Sequence, residues 1–143
     1  MATSNAATTY LEYRLLSYVF KNNAASFSTP GDNLWIGLAT AVSDAEAGSL
    51  TEASYSGYGR EQVAHANWTI SSSSTDAATV RNTNNIEWDP STTDGTSTIT
   101  HVFIASAETS GSIYFVGALD APKAIAEGDI FRINATNLVV EMK

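Results

Sequence analysis

The chain has two histidines, His65 and His101, and a general base or an imidazole metal ligand would have to come from them. Neither has a companion at ligand spacing. His101 stands between Thr100 and Val102 in an apolar run, where a hydrogen-bonded or interface histidine is the simpler reading. Cysteine is absent, which removes thiolate nucleophiles, thiolate metal sites, disulfides and redox chemistry. Asp44, Glu46 and Glu52 supply the carboxylates that Ca²⁺ takes from flexible loops, but the alternating acids and glycine of a calcium loop are missing. Glu87, Asp89, Asp120, Glu127 and Asp129 would have to face one another across roughly 5 to 9.5 Å to cleave a glycosidic bond. Their places near the ends of strand-like runs fit solvated turns instead. Ser56-Gly57-Tyr58-Gly59-Arg60 is no Gly-x-Ser-x-Gly elbow and has no base beside it, so it reads as a turn whose Tyr58 and Arg60 dock against a sheet. The expectation is therefore no enzyme: no catalytic residue, cofactor site or metal site.

Binding chemistry has more material. Trp35, Trp68, Trp88, Tyr55, Tyr58 and Tyr114 offer flat faces that could stack on pyranose rings, although core packing accounts for most such residues. Asn67-Trp68-Thr69 and Asn134-Ala135-Thr136 match the glycosylation sequon, which has meaning only in a secreted eukaryotic setting. A formal net charge of -8 with only 7 Lys and Arg disfavours any phosphate backbone as partner, so no nucleic acid is expected. The N-terminus lacks the basic start and apolar core of a signal peptide, and no run approaches the ~20 apolar residues of a membrane span. No membrane insertion is expected, and synthesis is expected in a cytoplasm.

The elements that would hold these residues are mostly strands. Charged residues are 15% of the chain against the roughly 25% usual for a soluble domain, with Ser, Thr and Asn in their place. Those side chains bond locally to the backbone and favour turns over helix interiors. One helix is legible at about residues 10–21, with Leu11, Leu15, Tyr18 and Val19 on an apolar stripe that Leu16 and Phe20 widen. Thr9 and Glu12 have the form of a capping box at its start, and Lys21, Asn22 and Asn23 suit its end. After the turn Thr29-Pro30-Gly31-Asp32, Leu34, Ile36 and Leu38 share one strand face, with Gly37 opposite where another backbone comes close. Further strands are expected at 62–70, 79–82, 85–88, 99–105, 113–119, 129–133 and 138–142, with turns at 71–76, 94–95, 110–111, 127–129 and 135–137. Residues 42–59 are expected to form a long irregular loop. The predicted fold is mainly β: one domain over residues 1–143, an antiparallel β-sandwich of about seven or eight strands with one N-terminal amphipathic helix packed against a sheet face or edge.

In that order of features the chain resembles the short tail-fibre-like virion structural proteins of tailed bacteriophages. The resemblance is carried by an N-terminal helix, by Leu34 to Leu38 in the place of a strand reading like LYVAL, by Glu52, and by Ser56 to Arg60 as the Ser-Gly-rich turn with Tyr and Arg. It continues through Thr98 to Val102 at the ITH-type strand, Gly111, Ile113 to Phe115, Gly117-Ala118-Leu119, Pro122-Lys123 and Gly128-Asp129. It spans nearly the whole chain. A Trp-Gly usual before the ITH-type strand is replaced here by Asp94-Gly95-Thr96-Ser97. The resemblance implies a non-enzymatic particle protein, located in the virion and assembled in the host bacterial cytoplasm. Its partners would be copies of itself, as a symmetric homo-oligomer such as a trimer, and other virion proteins. A low-charge surface suits this, because uncharged groups are cheaper to desolvate than charges. Two placements fit: a tail-fibre-like appendage component, or a capsid decoration or cement protein. The contrasting expectation is a carbohydrate-binding host-recognition adhesin, which would show exposed aromatics beside polar side chains and take a host surface glycan as partner.

Overall fold

The structure, a computed structural model, describes residues 6–22, 33–72, 78–92 and 95–142. The expected turns at Thr29 to Asp32 and, for the most part, at 71–76 fall outside them, as does Asp94 of the turn at 94–95. The described residues form one helix, α1 (Thr9–Lys21), and the strands β1 (Ala6–Ala7), β2 (Asn33–Asp44), β3 (Ser49–Glu52), β4 (Glu61–Ala64), β5 (Trp68–Ser71), β6 (Ala78–Asn82), β7 (Ile86–Glu87), β8 (Thr96–Ala105), β9 (Ile113–Ala126), β10 (Arg132–Ile133) and β11 (Val139–Met142). The fold is mainly β with antiparallel sheets and an N-terminal helix, as expected. The strands expected at 85–88 and 129–133 shrink to the two-residue pairings β7 and β10, and β1, also of two residues, carries too little pattern to be read in a sequence.

The main sheet runs β1-β9-β8-β2-β3, with β4 pairing the other half of the β2 edge; β11-β6-β5 and β10-β7 form two smaller sheets. At its centre β2 pairs β8 with Trp35 opposite Ala105, Gly37 opposite Phe103 and Ala39 opposite His101. Both faces of this pair are covered. Ile36, Leu38, Val102 and Ile104 enter the larger core with Tyr55, Ile86, Trp88, Ile125 and Phe131, while Ala39, Phe103, Ala105 and Val116 form a second core behind. That double burial explains why Leu34 to Ala39 reads as a nearly unbroken apolar run. Gly37 is required by its partner: a Cβ there would overlap the Phe103 ring. A register shift between Ile99 and His101 lets Ile99 share the larger core with Val102, although an even strand would turn them to opposite faces.

Three expectations need correction. Residues 42–59 do not form one irregular loop, because β2 continues to Asp44, a turn closes over 45–48, and β3 returns along β2 with Val42 opposite Leu50. The expected strand at 62–70 is two strands separated by a single 3-10 turn at His65–Asn67. The helix cap is Thr8, one residue earlier than Thr9. Its Oγ1 accepts the Leu11 N–H and donates to the Ile113 carbonyl, and its N–H donates to the Tyr114 carbonyl. One buried threonine thus starts α1 and fastens it to β9. Asn22 ends the helix in the left-handed conformation, as its residue type predicts.

Candidate functional site

A densely bonded polar cluster is built from the turn that the sequence places after Glu52. Glu52 closes β3, and residues 53–60 lead into β4 through a turn in which the Tyr58 N–H bonds to the Tyr55 carbonyl. Gly57 has φ +98 there, and a Cβ would press on the Pro90 carbonyl oxygen at 2.5 Å. Tyr58 donates its hydroxyl to Glu52 Oε1 at 2.7 Å and accepts the Leu38 N–H at 3.1 Å. Arg60 meets the same carboxylate in a fork, Nε to Oε1 and Nη2 to Oε2, both at 2.8 Å. Its Nη1 donates to the carbonyls of Ala107 (2.8 Å) and Ser110 (2.9 Å) in the β8–β9 connection. The guanidinium carbon lies 5.0 Å from the centre of the Phe103 ring.

Burial acts to raise the Glu52 carboxyl pKa, but hydrogen bonds from Arg60 and Tyr58, with the Arg60 charge, outweigh it and hold it below the ordinary value. Burial, aided by the neighbouring carboxylate, pushes the Tyr58 phenol far up, so it stays neutral. Arg60 is stabilised as a cation chiefly by its hydrogen bonds to Glu52. Tyr58 and Arg60 do dock against the sheet. Their polar atoms are spent inside the chain, so the cluster's chemistry is to fasten the β3–β4 loop and the β8–β9 connection onto the central strands.

The remaining candidates are scattered. His65 is exposed in the 3-10 turn, and His101 is half-buried on β8 with Nδ1 2.8 Å from Thr100 Oγ1. Burial lowers the His101 pKa, which leaves the ring neutral at pH 7. Asp44 accepts the Ala47 N–H and Asp129 the Ala126 N–H, each shaping its own turn. Glu87 pairs with Arg132 at 3.3 Å on the surface. Among the described residues no three His, Asp or Glu gather as a metal site would need. Trp88 and Tyr55 are core residues, Trp88 edge-on to Phe131, while Trp35, Trp68, Tyr58 and Tyr114 are half-buried. These six do not form the exposed aromatic platform expected of an adhesin.

Two features escaped the sequence reading. Asn82 is 1% exposed and ties three segments together: Nδ2 donates to the Asn84 and Asn134 carbonyls, and Oδ1 accepts the Leu138 N–H. Nothing in the spacing distinguishes it from its neighbours Asn84 and Asn85. The other is the placement of α1. It meets the sheet at β9, where Tyr10 lies 6.2 Å from Tyr114, yet none of its residues is buried. Tyr13, Leu16, Val19 and Phe20 are 67, 56, 60 and 76% exposed. The helix is therefore held at its first turn and presents apolar side chains outward, rather than spending its whole apolar surface on the sheet. Below β9 runs a cleft of ≈ 1450 Å³ lined in part by Phe115, Leu119, Ile130, Ile133, Val140 and Met142. A smaller polar recess of ≈ 270 Å³ is lined by Glu61, Gln62, Asn67, Asn84, Asn85 and Glu87, with Val63 and Ile86.

An antiparallel β body fastened by internal polar clusters, with an apolar helix carried on its edge, has the character of a structural building block. Comparison with known proteins gives that class a family. The model of the family described as Podophage GP4 fiber I protein gp80 matches residues 6–141, and the chain belongs to this family. It is a phage fibre structural protein and hence a component of the virion. No curated protein matches it.

Proposed function

We propose that the chain is a fibre building block that acts by burying surface, associating with copies of itself in a symmetric homo-oligomer and docking onto neighbouring virion proteins, without catalysing a reaction. The observation that carries this reading is the apolar surface held outside its own core, above all the exposed side chains of α1. Contiguous exposed apolar surface on a folded chain marks an interaction site. The family match favours a fibre placement over capsid decoration.

Reconstruction of the native particle with the chain traced in place tests this. The reading expects density on a fibre, in several symmetry-related copies, with interfaces between copies that bury upwards of about 1,000 Å² in total. A position between capsid subunits would replace it with the decoration or cement role, and absence from the particle would refute it.

Glycan recognition is the second reading, favoured by the recess of Glu61, Gln62, Asn67, Asn84, Asn85 and Glu87, since amides and carboxylates are the groups that hydrogen-bond sugar hydroxyls. The recess has no aromatic side chain in its lining for a ring to stack on, which ranks this reading second. Titration with host surface polysaccharide, comparing the chain with its Asn67→Ala and Gln62→Ala variants, decides it: binding lost in the variants supports the recess, and no binding by the parent chain removes it.

A further inference from the structure

We infer that helix α1 is the self-association element: its outer stripe of Tyr13, Leu16 and Phe20 packs against the same stripe of other copies, forming a helical seam on the oligomer axis. This deepens the assembly reading and rests on it. The helix has two apolar faces. Leu11 and Leu15, four residues apart, are half-buried, whereas Tyr13, Leu16 and Phe20, spaced three and four apart on the opposite side, are more than half exposed. A helix apolar on both sides is ordinarily enclosed by protein, yet this one has no buried residue. At 13 residues it is also of a length that is marginal by itself in water. Within the stripe Phe20, at 76%, is the least covered by its own chain, while Tyr10, off the stripe and beside Tyr114, is 42% exposed.

Three observations select a second copy of this chain as the occupant. The three-then-four spacing is the a/d repeat by which helices pack on helices, so the stripe is self-complementary. Charge points the same way. The whole chain carries -8, but α1 carries Arg14 and Lys21 against Glu12, and the stripe itself is uncharged. Identical acidic chains repel least where they meet through such a helix. Area is the third. Two aromatics at roughly 150–250 Å² each, largely exposed, together with Leu16 and Val19, offer on the order of 500 Å² per copy, so two or three copies reach the ~1,000 Å² of a stable interface.

The chain lacks cysteine, which makes engineered thiols clean reporters. The full-length protein, a Leu16→Glu/Phe20→Glu variant and single-cysteine variants would be compared by sedimentation and by disulfide formation under mild oxidation. Because both residues are exposed, the double variant should keep the parent's circular dichroism and melting temperature while sedimenting as a monomer. Leu16→Cys should form interchain disulfides far more readily than Leu11→Cys on the opposite face. An oligomer unmoved by the double variant would overturn the seam while leaving assembly standing. So would mixed Leu16→Cys and Leu119→Cys chains that cross-link to each other with no Leu16–Leu16 product, since the helix would then occupy the partner's cleft below β9. A parent chain that is monomeric at every concentration would overturn the assembly reading itself, and the seam with it.

Discussion

Arg60 uses four of the five N–H donors of its guanidinium, two on Glu52 and two on backbone carbonyls, while its side chain is only 7% exposed. Lysine offers a point charge without the planar fork and cannot reproduce this. Arg60→Lys and Arg60→Ala are both expected to destabilise the fold by about 2–3 kcal/mol, the half-exposed Glu52 keeping the cost below that of a fully buried pair. Urea unfolding, with Glu52→Ala in a double-mutant cycle, measures the coupling. The same pair sets an acid limit. Since the folded Glu52 pKa lies below its ordinary 4.5, the stabilisation is fully present above pH 4.5 and is lost as pH falls through the lower folded value. Glu52→Gln should be less stable than the parent at pH 7 but show a flatter stability profile below pH 4.5, which unfolding curves across pH 2.5 to about 7 would record.

Elements are held to one another at a few positions where one side chain serves two segments. Gly37 lets β2 lie under the Phe103 ring of β8, and Gly37→Ala should cost about 1–3 kcal/mol because the buried Phe103 ring cannot retreat without disturbing the second core. Adding Phe103→Leu should recover part of that loss. Equal stability of Gly37→Ala and parent in thermal melts would mean that the two strands are further apart than described. Asn82 links β6 to the β10–β11 connection through two side-chain hydrogen bonds, to Asn134 and Leu138, and to the β6–β7 turn through a third, to Asn84. Asn82→Ala is expected to lose about 2–4 kcal/mol, and Asn82→Asp to fail as a rescue because a carboxylate cannot donate to the Asn84 and Asn134 carbonyls. Hydrogen exchange should then rise first in β6 and β11 and leave the β2–β8 pair protected.

At the scale of the whole molecule, the balance lies between a net charge of -8 and an uncharged, exposed apolar stripe on α1. If copies meet through α1, added salt screens their mutual repulsion without breaking ion pairs across the seam. Association measured by sedimentation should therefore strengthen between about 0.02 and 0.5 M NaCl. Weakening over the same range would indicate an interface held by opposite charges elsewhere on the surface.

Much of the fold is local and therefore legible in the residues alone. The mainly β class, the helix with its Asn22 end and the turn at Ser56 to Arg60 all follow from periodicity and turn chemistry that neighbouring residues enforce. The fibre family was legible too, because turn glycines and small residues keep a fixed order along the chain. Whatever depends on contacts distant in sequence was decided only by tertiary structure. Thr8 displaced Thr9 as the cap because its hydroxyl also reaches Ile113, 105 residues away. Val42 to Asp44 and Ser49 to Glu52 read as loop because a hairpin on a sheet edge needs no strict alternation. By spacing alone Leu16 and Phe20 widen one stripe, and only the position of the helix on β9 separates the face turned to its own body from the face left exposed.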